Sequence, residues 1–414
     1  MDTRRSILLA ALVAFVIRAA IGLALPVAPA WDGVVYERAA SAIAAGEGYT
    51  RRALSPHGSD APTAFYPVGW PAALALWRGL GMPRALDPLL QALLGALAVP
   101  LAALFAGRLA GRRAAAWGAW LVAVWPGGAL GSASWMSEPL FTLLLAGAVA
   151  LAVRRSATAL VASAVLFALA AYVRPTALAI APLVLAAAVW SPGASRPIRL
   201  ARMAGAAALA LAVALVILSP WLARNRAALG GAALSTNGGA NLLVGTASSR
   251  FLHVPRAIDC RADGELARDR CRRERALERI AADPLTWLAR VPLKLAHTFG
   301  YESSAAVQLA RALGVREPLR APLVWIGVAV SSAYWLALLA LAIRGFARSR
   351  ARARLLALAP CLAIALVHSV YFGGDRYHAP LVPLVAALAA AALARRPRQA
   401  LRADCRDRRA IAHR

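Results

Sequence analysis

Apolar runs of about 15 to 23 residues recur along this chain, and most are separated by short links bearing arginine. A helix that crosses a membrane needs about 20 predominantly apolar residues, because roughly 30 Å of hydrocarbon is spanned at about 1.5 Å per residue. Ten candidate spans can be drawn, at 6–25, 86–107, 114–131, 138–153, 157–173, 176–190, 203–220, 321–343, 355–372 and 378–394. The expected fold class is therefore an all-α integral membrane bundle. Composition agrees: of 414 residues 60% are hydrophobic and 16% charged, and the mean hydropathy is +0.61. A soluble domain has roughly 45–50% apolar and about 25% charged residues. The same values exclude a disordered chain.

The net charge is +28, which in a soluble chain would point to nucleic acid. Here its distribution matters more. Lys294 is the only lysine among 47 basic residues. If the N-terminus is cytoplasmic, alternate links carry 23 basic residues against three acids (Asp2, Asp404 and Asp407). That arrangement satisfies the positive-inside rule for ten spans with both termini cytoplasmic. The basic tail 395–414 then anchors at an anionic leaflet, and no nucleic-acid partner is expected. The first apolar run contains Arg18 and lacks a small-x-small cleavage site, so it is expected to remain as a span. No internal repeat is visible, which argues against a secondary transporter.

The chain forms one polytopic domain, 1–414, with two long outer segments, 26–85 and 221–320. The second holds Cys260 and Cys271. Eleven helical residues would separate them by about 16 Å, whereas a disulfide needs Cα atoms within about 7 Å. The spacing argues against a bridge unless Cys260 folds back from the preceding loop. Cys361 and Cys405 are expected to be inert, and no CxxC or His/Cys cluster suggests zinc. Glu265–Ala281 reads as a charged amphipathic helix, broken at Asp283-Pro284. Trp287, Leu288, Val291, Leu295 and Phe299 then form an interfacial stripe.

The acids Asp32, Glu37, Glu138 and Asp375 cluster at the outer membrane edge. A transporter would place charges near mid-bilayer, where only Arg18 comes close. Asp32 is placed to N-cap a short helix whose positions 35, 39, 42 and 43 form a membrane-facing stripe. Glu37 and Arg38 read as a solvated pair. Glu138 suits a helix first turn, with Pro139 at N1. Pro62–Pro71 is an extended, kinked loop. Pro220 and Trp221 end the seventh span. Arg174, Arg224 and Arg376 stand at three separate outer turns. They either snorkel to the interface or converge on a phosphate, and the residues alone leave both readings open.

A series of short motifs runs through the chain in order. It comprises Asp32, Tyr36 and Gly48-Tyr49; Pro62-Thr63-Ala64-x-Tyr66-Pro67-x-Gly69-x-Pro71; Ser137-Glu138-Pro139-Leu140-Phe141; Arg174-Pro175-Thr176; and Pro220-Trp221-x3-Asn225. Ser235-Thr236-Asn237-Gly238-Gly239-x-Asn241-Leu242, Asp283-Pro284-x4-Ala289-x4-Lys294 and Gly374-Asp375-Arg376-Tyr377-x2-Pro380 follow. This order resembles the GT-C glycosyltransferases of the dolichyl-phosphate-mannose–protein mannosyltransferase type, glycosyltransferase family 39. Bacterial relatives include lipid A aminoarabinose transferase and lipopolysaccharide-core sugar transferases.

The resemblance implies a GT-C bundle in the bacterial cytoplasmic (inner) membrane. It would perform inverting sugar transfer from a polyprenyl-phosphate-sugar to an acceptor hydroxyl on the outer face. Asp32 corresponds to the catalytic base; relatives often carry a second adjacent acid, where this chain has Gly33. Arg174, Arg224 and Arg376 would stabilise the leaving phosphate. Tyr36, Tyr66, Asn225, Asn237, Asn241, Asp375 and Tyr377 would hold sugar or acceptor, or order the loops. Glu138 would be a second acid, holding acceptor or a divalent metal; no cofactor is required and no metal ligands are assigned. The helices after 265 either pack on the bundle or close as a lid over the sugar. Implied partners are the lipid-linked sugar, membrane lipids and an acceptor glycan, lipid or protein. The competing readings are a lipid-linked sugar flippase and an inactive scaffold of the same fold.

Overall fold

The computed structural model describes residues 2–25, 27–154, 156–250, 253–349 and 351–394. Arg155, Arg350 and the basic tail 395–414 with Cys405 lie outside these. In chain order the helices are α1 (Thr3–Ala24), α2 (Asp32–Ala44), α3 (Gly69–Gly79), α4 (Asp87–Ala110), α5 (Arg112–Ala123) and α6 (Pro126–Gly131). Next come α7 (Glu138–Ala152), α8 (Ala157–Val173), α9 (Ala177–Val189), α10 (Arg196–Leu229), α11 (Gly238–Ala247) and α12 (Glu265–Ala282). The last are α13 (Pro284–Ala289), α14 (Val291–Phe299), α15 (Ser304–Ala312), α16 (Pro322–Ala347), α17 (Ala351–Val370) and α18 (Val382–Leu393).

Among the described residues six helical stretches are long and apolar enough to cross a membrane: Thr3–Ala24, Arg84–Ala110, Arg196–Leu229, Pro322–Ala347, Ala351–Val370 and Asp375–Leu393. Glu138–Ala152, Ala157–Val173 and Ala177–Val189 are shorter apolar helices. The chain is an all-helical integral membrane protein. Large apolar side chains face outward on its outer helices: Leu323 is 80% exposed, Val216 70% and Leu8 70%. Such surfaces suit lipid. At the centre lies α18, whose Ala386, Ala387, Ala389 and Ala390 are fully buried.

The expected ten spans reduce to these nine helices plus a broken one, because 114–131 divides into α5 and α6. Pro126 has no N–H to donate, and its ring would collide with the preceding turn of a continuous helix. The break frees carbonyls of α5, and Arg18 reaches across from α1 to satisfy them. Its guanidinium donates to Val122 O at 3.2 Å and Ala123 O at 3.2 Å. Pro220 behaves differently from expectation: α10 runs through it to Leu229. The carbonyl that Pro220 leaves without its usual donor, Val216 O, accepts from Ser219 Oγ at 2.8 Å. Gly230, at φ +80°, ends the helix in the left-handed conformation common at C-termini.

Three local expectations are also corrected. The α2 stripe faces protein, not lipid: Ala39 and Ala42 are buried, and Val35 and Ile43 pack in small clusters with Tyr49, Leu74 and Trp221. Glu37 is buried and pairs with Arg78 at 3.5 Å and Arg84 at 3.3 Å, because α3 folds back onto α2. Cys260 does fold back from its loop, and it forms a disulfide with Cys271 at a Cα–Cα distance of 6.1 Å. Asp259 secures the fold-back by pairing with Arg272 at 2.7 Å.

Candidate active site

The chain enters α2 through Trp31, whose φ of +52° is uncommon for a residue with a side chain. Asp32 is the first residue of the helix, and its carboxylate does not cap it. Instead Oδ1 accepts from the Tyr66 hydroxyl at 3.0 Å, and Oδ2 accepts from Arg376 Nη1 at 2.9 Å. Gly33 packs so closely that a Cβ there would lie 2.9 Å from Ser134 O. A second acid beside Asp32 therefore has no room.

Tyr66 sits on the proline-rich loop, whose backbone pairing is limited to a bridge between Thr50 and Pro62 and a few isolated hydrogen bonds. Two side chains from distant segments fasten it. Glu265, opening α12, accepts from Thr63 Oγ1 at 2.7 Å, Ala64 N at 2.8 Å and Thr236 Oγ1 at 2.5 Å. Arg224, from α10, donates to Thr63 O at 2.8 Å and Tyr49 O at 2.9 Å. Burial, and then the charge of Asp32, pushes the Tyr66 hydroxyl well above its ordinary pKa. Burial does the same to Tyr36. Both hydroxyls stay protonated and available as donors.

Arg174 follows α8 in extended backbone, as the residue before a proline favours. Its Nη2 lies 2.6 Å from Glu138, and the guanidinium also donates to Ser137 Oγ at 3.3 Å. Arg376 Nε lies 3.9 Å from the same Glu138 carboxylate. Arg174, Glu138, Arg376 and Asp32 thus form a line of alternating charge. The ring of Tyr377 lies beside both guanidiniums, at 5.6 and 5.2 Å, and stacks on His368 at 4.1 Å.

A cavity of about 400 Å³ opens here. Asp32, Tyr36, Tyr66, Arg174, Arg376 and Tyr377 line its polar end, with Asn237 and Asn241 alongside. Phe141, Leu178, Ile364 and Val367 form an apolar wall. The arrangement suits an amphiphile with an anionic head: two arginines meet the head, and the apolar wall meets a tail.

Eight of the residues singled out from sequence line this cavity and four do not. Glu138 stands behind the two arginines, paired with Arg174, and lines a neighbouring cavity. Arg224 is occupied by loop carbonyls and by Asn225 Oδ1 at 2.8 Å. Asn225 is fully buried and donates to Ala233 O at 2.7 Å. Asp375 caps α15, accepting from Ser304 N at 2.6 Å and also from Ser303 N and Ser304 Oγ. No residue of α13 or α14 lines the cavity; in this arrangement α14 packs against the end of α17, with Lys294 donating to Ser369 O and Val370 O. Sequence reasoning missed Glu265, Ser137 and His368. It also missed a buried pair in which His378 Nε2 lies 3.1 Å from Glu302. Of these, Ser137 carried a signal through its motif with Glu138, and His378 through its place two residues beyond Arg376. Among the described residues no cluster of three His, Cys, Asp or Glu side chains could hold a metal.

No family model and no curated protein matches this sequence. Solved structures do match in fold. ArnT from Cupriavidus metallidurans, bound to undecaprenyl phosphate, aligns at TM-score 0.55 and 16% identity over 95% of this chain. The Archaeoglobus fulgidus oligosaccharyltransferase, with zinc and sulfate, aligns at 0.52 and 15% over 93%. The archaeal oligosaccharyltransferase AglB from the same organism, with an inhibitory peptide and a dolichol-phosphate, aligns at 0.50 and 14% over 94%. This chain spans 60% of the length of the first and about half of the other two. The fold is GT-C-like.

Proposed function

We propose that this protein is a polyprenyl-phosphate-sugar glycosyltransferase, with Asp32 as the base of an inverting transfer at the outer face of a bacterial cytoplasmic membrane. The observation that carries the reading is the shared cavity, in which the Asp32 carboxylate and two arginines face one amphipathic space. In the resting arrangement Arg376 holds Asp32 Oδ2. A donor phosphate competes for that guanidinium and frees the oxygen to accept a proton. The acceptor oxygen then bonds to the anomeric carbon, the carbon–oxygen bond to phosphate breaks, and the proton passes to Asp32. Arg174 and Arg376 stabilise the charge gathering on the leaving phosphate, with Glu138 holding the pair in register. Asn237 and Asn241 are positioned to meet hydroxyl groups. The arginine pair supplies the positive field, so the reaction needs no cofactor.

Sidedness has two supports. Disulfides persist in oxidising compartments, which favours an outer location for Cys260–Cys271. The arginine-rich links lie at the opposite helix ends from Asp32, Glu138 and Arg174. Against transport, Arg18, which the sequence places nearest to mid-bilayer, is engaged with carbonyls of the α5 break. The test is purified protein in liposomes given a panel of polyprenyl-phosphate sugars with candidate acceptors. Release of polyprenyl phosphate from one donor is expected and identifies the sugar. Movement of intact donor across the bilayer, with no release, would favour a flippase.

A further inference from the structure

Behind Arg376, on the side away from Tyr36 and Tyr66, lies a second cavity of about 80 Å³. A single water needs roughly 10–15 Å³, so the space is larger than one solvent molecule requires. Small residues, among them Gly131 and Ala305, keep it open. Its polar lining includes Gln91, Glu138, Glu302, Gln308 and Arg376, with Asp375 present but occupied by the N-terminus of α15. Gln91 is 1% exposed, and its Nε2 donates to Met136 O at 2.9 Å. Its Oε1 has no hydrogen-bond partner in the protein, and neither has Glu138 Oε2. Buried acceptors left unpaired are uncommon and costly, and such groups point to something that donates to them. Arg18 also lines the space, but its guanidinium is engaged with backbone carbonyls.

We propose that this chamber is the subsite for the donor's sugar ring, and that it selects sugars that present hydroxyl or amino donors and carry no acidic group. The proposal rests on the transferase reading and names the substrate class for it. Arg376 is the wall common to both cavities. A phosphate held by Arg174 and Arg376 places the prenyl chain along the apolar wall of the larger cavity. The anomeric carbon, joined to that phosphate through one oxygen, stays beside the wall within reach of an acceptor held by Asp32, and the rest of the sugar ring points past Arg376 into the chamber. There Gln91 Oε1 and Glu138 Oε2 accept from its hydroxyls. The carboxylates of Glu138 and Glu302 would repel a uronate.

The test measures binding of two probes to the protein in liposomes: a neutral polyprenyl-phosphate hexose and undecaprenyl phosphate itself. Wild type is compared with Gln91→Met, which removes the acceptor, and Ala305→Leu, which fills the chamber from α15. Each variant should weaken the hexose lipid about tenfold while leaving undecaprenyl phosphate within about twofold, the scale of one or two lost hydrogen bonds. Wild type should also prefer the hexose lipid over its uronate counterpart. Unchanged hexose binding in both variants would mean that the chamber holds only water and would overturn the proposal. Equal weakening of both probes would mean a deformed phosphate site, with the same consequence. If wild type bound neither probe, the transferase reading itself would fail and this proposal with it.

Discussion

At the residue scale, Asp32 has two partners of different character. Arg376 is a charge that a phosphate can draw away, whereas Tyr66 is a neutral donor held by its loop. Tyr66→Phe removes one hydroxyl and leaves the ring's edge contact with Tyr36, where the centroids lie 5.6 Å apart. It should lower kcat by about tenfold with little change in donor KM, on the usual scale of one hydrogen bond to a charged group. Steady-state kinetics at saturating acceptor would check this. An unchanged kcat would mean that Tyr66 orders the loop and no more. Asp32 was singled out by its place in the ordered series of motifs, since an acid opening a short helix reads on its own as a cap. The role of Arg224 was not legible in the sequence. Three arginines stood at similar depth, and what separates them is the loop opposite Arg224, where Pro62, Pro67 and Pro71 contribute no N–H donors. The Thr63 carbonyl takes its donor from Arg224, which also adds a second donor to Tyr49 O beside the Thr63 N–H.

At the element scale, α14 docks on the C-terminal end of α17 through the chain's one lysine. Lys294 is buried, and its Nζ donates to Ser369 O and Val370 O, each at 3.2 Å, capping the carbonyl end of α17. It also lies 5.2 Å from the ring of Trp287. Burial, with a smaller contribution from Arg290, pushes its pKa down to about 8. The unfolded chain titrates near the ordinary lysine value of about 10.4. Between these values the unfolded state binds more protons than the folded one. Stability relative to Lys294→Met should therefore rise with pH from about 8 to about 10.4 and stay level below 8. Thermal unfolding of both proteins across that range would show it, and a constant difference would contradict a buried, perturbed lysine. The helices themselves were largely legible from apolar length alone. Their interruptions were not. Pro126 and Pro220 both lie in apolar runs, yet one breaks a helix and the other does not. Ser219 supplies a donor from within α10, while the α5 break depends on Arg18 from another helix, which local sequence does not reveal.

At the scale of the whole molecule, an up-and-down bundle brings alternate links to the same end. Asp32, Glu138, Arg174 and Arg376 are far apart in sequence, but each stands where a helix begins or ends on one side of the bundle. The arginine-rich links occupy the other. This convergence was foreseeable from the order of the spans, although the particular pairs were not, because they depend on side chains meeting across α2, α7, α8 and the turn before α18. The Cys260–Cys271 bridge was half legible: spacing within a helix excluded it, and only a loop folding back permits it. The most direct test of Asp32 as the base is sugar transfer by Asp32→Asn beside wild type, with undecaprenyl-phosphate binding measured on both. The variant should bind the lipid within a few-fold of wild type and lose about 10²–10⁴ in turnover, the usual contribution of a general base. Turnover at the wild-type rate would remove Asp32 from the chemistry and contradict the mechanism built on it.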